Sequence, residues 1–289
     1  MEHDYLNELW RYVTVTRPFM QKHVRPSVLS AGAEQALMPK DTFRECATEQ
    51  GKDFCPQMVV VPAGPFMMGS PPTEKGRNKN EGPQHNVTIS KPFAVSKFEL
   101  TFDEWDTCVA YGDCPQGVSD SGWGRGQQPL INVTWDDAQR YAAWLSKMTG
   151  KPYRLLTEAE YEYATRGGTQ TAYPWGDDIQ LSGKAMANCD GCGSKWDNSQ
   201  AAPVGSFAGN GSGVYDMVGN VWEWVADCYH PGYQVETPQG KLDTPTDGSA
   251  WISGDCSRRV VRGGSWDNAP VILRSANRSW SSTDDRLSH

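Results

Sequence analysis

Residues 262–278 read RGGSWDNAPVILRSANR. This stretch gathers side chains suited to recognition. Trp266 offers a flat apolar face, Asp267 and Asn268 offer a carboxylate and an amide, Arg274, Asn277 and Arg278 offer multidentate groups, and Trp280 follows two residues later. Such a set could hold a peptide, a protein or a small polar ligand. The stretch contains neither Cys nor His, and so no thiolate or imidazole for nucleophilic, redox or soft-metal chemistry. Internal pairing with the surplus of carboxylates is the alternative for Arg262, Arg274 and Arg278.

Other chemistry-bearing residues are scattered. Glu158, Glu160 and Glu162 could serve acid/base work, but the first turn of a helix favours acidic residues anyway, and capping accounts for them. The histidines at 3, 23, 85, 230 and 289 show no paired spacing, so iron on a facial triad is not supported, although His85 and His230 could meet in space. The eight cysteines fall as four pairs close in sequence: Cys46 and Cys55, Cys108 and Cys114, Cys189 and Cys192, Cys228 and Cys256. Disulfides are the simplest reading and favour a periplasmic or extracellular location. CDGC at 189–192 also has metal-ligand spacing, though no second such pair completes a zinc site, and free thiols are the third option.

The elements that must position these residues are short. Gly (29), Pro (19) and Trp (12) are abundant while charged residues make up only 21%, which describes tightly turned loops packed around aromatics. A net charge of −8 and a pI near 5.2 argue against general affinity for nucleic acid or anionic lipid. No apolar run approaches the ~20 residues of a membrane span, and the first residues lack the continuous apolar core of a secretory signal.

Residues 1–45 read as an arm or linker, with short helical pieces at YLNELWRYV and FMQKHV, and 46–289 as one domain. MVVVPAGPFMMGS (58–70) predicts strand, turn and strand. Residues 71–84 predict a surface loop, and 85–101 a strand interrupted at Pro92. Two helices carry legible caps. One starts at Thr134 with Asp137 three residues on and ends at Gly150; the other starts at Thr157 with Glu160 and ends at Gly167. In the first, Trp135, Ala138, Ala142, Leu145 and Met148 recur at helical spacing and should face the core.

Seven motifs in order, VVVPAGPFMMGS, PLINVTWDDAQRYAAWL, RLLTEAEYEYATRGG, YPWGDD, APVGSF, GVYDMVGNVWEW and RVVRGGSW, resemble those of the formylglycine-generating enzyme (sulfatase-modifying factor) family. The resemblance implies an α+β fold, a C-type lectin-like variant with a short twisted antiparallel sheet, two helices and long packed loops. Formylglycine-making members use a copper-loaded cysteine pair just after the GGS motif. Residues 266–273 stand there in this chain and include no thiol, so neither copper nor that reaction is supported. A sulfoxide-synthase branch uses iron held by three histidines.

The resemblance implies calcium at two loops. One would use Asn188, the Cys189 carbonyl, Asp197 and the Ser199 carbonyl. The other would use the Gly219 and Val221 carbonyls with Asn220 and Glu223. The alternative is that Asn220 and Glu223 satisfy buried backbone groups.

A calcium-stabilised binding or accessory module follows. An oxidoreductase or maturation factor working without the cysteine pair is the alternative, since the family includes a protein implicated in pyoverdine chromophore maturation and members encoded beside copper nitrite reductases. A purely structural role beside an upstream partner domain is a third reading. A loop diversified by a retroelement, as in ligand-binding relatives, would also suit 266–289. Members usually close on a Gly-Phe-Arg strand, which is missing from the sequence after Asp284.

Overall fold

The computed structural model describes residues 24–48, 55–238 and 240–289. The two helical pieces expected in the arm fall outside these residues, except for the last residue of the second.

Met58–Val61 is the centre of the first sheet because all four of its residues are buried. It pairs antiparallel with Thr42–Phe43 on one side and Phe93–Ser96 on the other. Gly64–Met68 pairs with His85–Ile89, so the strands expected on either side of the Pro/Gly turn form, and the run from 85 onward breaks before Phe93 at Pro92. Pro lacks the amide a continuing ladder would need. A second three-stranded sheet places Arg258–Arg262 between Glu223–Cys228 and Ser279–Ser282, again antiparallel. Shorter antiparallel pairings join Val24–Pro26 to Cys46–Thr48, Gln180–Leu181 to Lys184–Ala185, and Gln234–Thr237 to Gly240–Asp243.

The helices Trp135–Thr149 and Glu158–Arg166 begin and end where their caps predict, each with a reciprocal capping box and a left-handed glycine. Sequence reading missed a third, Phe102–Tyr111, although Thr101 and Glu104 form the same capping box and Gly112 closes it. The strand expected over 85–101 ran up to the cap residue Thr101 and absorbed the helix's signal, whereas the observed strand ends at Ser96. Ala31–Gln35 forms a single further helical turn.

The inward face of Trp135–Thr149 is also displaced from expectation. Ala142 and Leu145 are buried, but Tyr141 and Trp144 join them while Trp135, Ala138 and Met148 remain half-exposed. The larger rings take the interior because Trp105 and Phe102 of the unforeseen helix pack against them. Around 71–84 the chain is mostly exposed, yet Lys79–Glu81 forms a 3-10 turn and Glu81 is fully buried.

All eight cysteines form disulfides, paired as their spacing suggests: Cys46–Cys55, Cys108–Cys114, Cys189–Cys192 and Cys228–Cys256. Four disulfides accord with an oxidising compartment. No helix among the described residues is long and apolar enough to cross a membrane.

Glu104 gives the fold a pH signature. Burial pushes its carboxyl up to about 7 against the opposing hydrogen bonds from Thr101. Because the native pKa exceeds the unfolded one, the native state holds the proton longer, and this contribution to stability falls as pH rises from about 4.5 through about 7. Glu104→Gln keeps an oxygen for the Thr101 amide and hydroxyl, both of which bond to one carboxylate oxygen. Its melting temperature relative to the parent is therefore expected to climb between pH 5 and pH 8 in a thermal-melt series, these limits being roughly those that bracket the shift. A constant offset would contradict this assignment.

Candidate functional site

The Glu158–Arg166 helix places Glu158 and Glu162 one turn apart on one face, and both point into the arginines of 262–278. Glu162 accepts from Arg262 Nη2 at 2.6 Å, from Arg166 Nε at 2.9 Å and from the Gly69 amide at 2.8 Å. Glu158 receives Arg278 Nε and Nη2, each at 2.7 Å. Arg262 also donates to the carbonyls of Ser275, Ala276 and Asn277, so it fastens the far side of its own loop. Arg274 is held by Glu81 at 2.5 and 2.7 Å and by Glu74 at 2.6 Å. The four guanidiniums and four carboxylates are all buried at the side-chain level.

This geometry divides the seven recognition residues. Arg274 and Arg278 are committed to interior ion pairs, and Asn277, 4% exposed, accepts from Asn78 Nδ2 at 3.2 Å. Trp266, Asp267 and Asn268 are half-exposed and contiguous. Trp266 meets Trp123 edge-on at 5.4 Å, and its indole donates to the Ser288 carbonyl at 3.0 Å. Ser265 Oγ lies 2.6 Å from Asp267 Oδ1 and 3.0 Å from Asn268 Oδ1, which fixes the turn. Trp280, 40% exposed, lies instead under the Arg258 guanidinium at 3.9 Å and beside Tyr229. The carboxylates raised as acid/base candidates are structural here: Glu160 caps its helix, and Glu158 and Glu162 belong to the arginine lattice.

Behind the exposed turn lie the two loops to which calcium was assigned. The Asn220 amide donates to the Asn188 carbonyl, and the Asn220 carbonyl accepts from the Trp266 amide at 2.8 Å, so one residue ties both loops to the GGSW turn. Gly219 permits the approach. Its φ is +82°, and a Cβ there would stand 2.4 Å from the Asn188 carbonyl oxygen. In the first loop, the Asn188 side chain donates to the Gln200 carbonyl and accepts from Ser194 Oγ. Both carboxylate oxygens of Asp197 accept backbone amides, from Gly191 at 2.7 Å and Gly193 at 2.6 Å. The Cys189 carbonyl receives the Cys192 amide at 3.5 Å, and Ser199 is exposed.

In the second loop, Asn220 donates to Glu99 Oε2 at 2.6 Å and to the Ala202 carbonyl, and it accepts from the Ala202 amide at 2.7 Å. The Val221 amide donates to the other Glu99 oxygen at 3.1 Å. Glu223 Oε1 lies 2.9 Å from Tyr161 Oη. The carbonyls of Gly219 and Val221 accept no hydrogen bond among the described residues.

Two acids that sequence reading missed complete this centre. Asp216 sits inside the quoted GVYDMVGNVWEW motif, and Glu99 reaches Asn220 from 121 residues away, with no local signal to mark it. Burial and the nearby Asp216 and Glu223 carboxylates raise Glu99 well above the usual range. Burial also brings Asp216 up to about 6, while burial followed by the Asp216 charge brings Glu223 up to about 7. Asp216 Oδ1 is buried with no partner among the described residues. One buried carboxylate oxygen without a partner among the described residues and two carbonyls that accept no hydrogen bond there are the type of donor a hard cation takes. No three His, Cys, Asp or Glu side chains among the described residues converge as a metal cluster, so backbone carbonyls would have to supply part of any shell.

Each described histidine has its own partner. His230 stacks on Trp251 with ring centroids 3.6 Å apart, His85 packs against Tyr233, and His289 lies 3.8 Å from Asp267. His3 and His23 lie outside the described residues.

Residues 43–289 match the sulfatase-modifying factor enzyme 1-like domain. The formylglycine-generating enzyme of Thermomonospora curvata is 30% identical over 72% of this chain and 82% of its own length. The hercynine oxygenase of Mycolicibacterium smegmatis is 33% identical over 77% of this chain and 57% of its own. Among solved structures, PvdO from Pseudomonas aeruginosa superposes with a TM-score of 0.74 and 39% identity, covering 88% of this chain and 96% of that one.

Proposed function

The chain belongs to the sulfatase-modifying factor enzyme 1-like family, and from that premise we propose that it is a calcium-stabilised recognition or accessory module of this family that does not make formylglycine. The observation that carries this reading is the state of the cysteines: all eight are bound in four disulfides, which leaves no thiolate to hold copper or to exchange with a substrate cysteine. The turn Trp266–Asn268, where the family resemblance places the cysteine pair, presents indole, carboxylate and amide groups. Soft copper finds no fitting donors there.

The surface that remains for a peptide, protein or small polar ligand is narrower than the sequence suggested. It centres on Trp266, Asp267 and Asn268, with Trp123 beside them and Trp280 on a separate patch. Calcium held by the Asp216 and Glu223 carboxylates with the Gly219 and Val221 carbonyls would neutralise this buried pair of acids and stiffen the loop that carries this turn. A periplasmic or extracellular setting suits both the disulfides and the metal.

The test is to incubate the purified protein with a cysteine-containing peptide, Cu(I), oxygen and an excess of a thiol reductant that supplies the second electron pair, and to follow the peptide by mass spectrometry. The cysteine is expected to persist, and its conversion to an aldehyde would overturn the reading. The likeness to a hercynine oxygenase favours a second reading, an oxidoreductase working without the cysteine pair. Iron-dependent oxygen consumption would select it.

A further inference from the structure

The four disulfides are not equally placed. Seven of the eight cysteines are buried, between 0% and 7% exposed, and only Cys256 is half-exposed. The turn that carries it is open to solvent: Ile252 is 68% exposed, and Ser253, Gly254, Asp255 and Ser257 are exposed as well. The Ile252 carbonyl lies 3.5 Å from Cys256 Sγ, so this sulfur sits against the exposed turn. Its partner Cys228 is 0% exposed at the end of the Glu223–Cys228 strand. An external thiolate therefore has access to one end of this bond and not to the other.

The buried sulfur has a cation beside it. Arg259 Nη1 lies 3.3 Å from Cys228 Sγ and donates to the Ala226 carbonyl at 2.8 Å, while the guanidinium rests over the Trp135 ring at 3.9 Å. Asp227 and Asp136 act on Arg259 through charge alone, without a hydrogen bond among the described residues. A guanidinium at this distance stabilises a thiolate, and exchange is faster when the departing thiol has the lower pKa. Access and leaving-group chemistry thus select the same direction of cleavage.

The chain between the two cysteines has other attachments. The Cys228 amide donates to the Trp251 carbonyl at 2.9 Å, the Trp251 amide donates to Asp227 Oδ1 at 2.7 Å, and His230 stacks on Trp251. Opening the bond would release the exposed turn 252–257 and leave these contacts in place.

We propose that Cys228–Cys256 is a thiol-exchange site, at which the protein takes an external thiol into reversible covalent linkage on Cys256. The incoming thiolate attacks Cys256 Sγ and forms the new S–S bond. The Cys228–Cys256 bond breaks, and its electron pair leaves on Cys228 Sγ as a thiolate beside Arg259. The external thiol is oxidised and Cys228 is reduced, with no metal and no oxygen involved. Cys228 pairs with Arg259 at the opposite end of the strand from Glu223 and Arg262, so the site is separate from the GGSW turn and from the calcium loops. Its failure would leave the reading of both untouched.

The native protein is treated with reduced glutathione, or with a thioredoxin whose second active cysteine is replaced by Ser, then quenched by alkylation and mapped by mass spectrometry. Linkage to Cys256 is expected with Cys228 alkylated and the other three disulfides closed. The two rates at equal thiolate concentration tell whether a small or a protein-borne thiol is the better partner, and either supports the proposal. Arg259→Gln should slow the linkage about 3–10-fold, and Arg259→Lys should recover part of the rate. A merely structural role for Arg259 predicts the opposite, because loosened packing would speed access. In Cys228→Ser, the remaining Cys256 should react with an aromatic disulfide reagent at least about tenfold faster than Cys228 does in Cys256→Ser. The proposal is overturned if no disulfide opens in the folded protein, if another opens as readily, or if the thiol is found on Cys228. Arg259→Gln exchanging as fast as the parent or faster would overturn it as well.

Discussion

Arg262→Ala is expected to melt about 10 °C or more below the parent protein, the largest loss of any single substitution in the arginine lattice. Arg262 is fully buried, and it neutralises Glu162 while donating to three carbonyls of the loop behind it. Its removal takes from buried Glu162 one of its two guanidinium partners, Arg166 being the other, and leaves those carbonyls without their donor. Breaking a buried pair from one side costs about 3–5 kcal/mol. In a domain of this size 1 kcal/mol corresponds to about 2–4 °C. The control is Lys147→Ala, which breaks the exposed pair with Asp113 and should shift the melt by only a degree or two, about what a surface pair contributes. Equal melting of Arg262→Ala and Lys147→Ala would show that the lattice is not what holds the 262–278 segment in place.

The second large effect is expected from calcium. Stripping the protein with a chelator should lower the melting temperature by about 8 °C or more relative to millimolar calcium. A ligand at 1,000 times its Kd stabilises by about 4 kcal/mol through mass action alone. Asp216→Asn and Glu223→Gln should each abolish most of that shift, while Asp197→Asn reports on the first loop separately. The pH dependence has a defined sign. Asp216 is raised to about 6 and Glu223 to about 7, so calcium must displace protons below neutrality, and the calcium-induced shift should grow from pH 5 to pH 8, limits set roughly by those values. With chelator present the same raised groups act the other way. The metal-free native state binds protons that the unfolded chain has lost, and its stability declines as pH rises through about 4 to 7. A calcium shift that is flat with pH would place the ion elsewhere.

Local chemistry was legible in the sequence and long-range partnership was not. The disulfide pairs followed from cysteines close in sequence, and the caps at Thr134 and Thr157 from a Thr with an acid three residues later. The internal pairing of Arg262, Arg274 and Arg278 was one of two readings that residue type allowed. Which carboxylate each would meet was hidden, because Glu81 and Arg274 are 193 residues apart and only the folded chain brings them together. Glu99 escaped notice for the same reason, since nothing in its neighbourhood distinguishes it from a surface acid. The helix Phe102–Tyr111 was missed although its capping box was in plain view, and its absence from the reading misplaced the inward face of the next helix, whose Tyr141 and Trp144 turn toward it. Motif position points to Asp197 for the first loop but does not reveal its local partners, the Gly191 and Gly193 amides, one on each carboxylate oxygen.

The central claim, a family member that uses calcium as scaffold and carries no redox centre, is tested most directly by elemental analysis of protein purified without chelators. The account predicts calcium bound in near-integral amount, with copper and iron at background. Copper or iron near one per chain, together with oxygen consumption in solution, would contradict it.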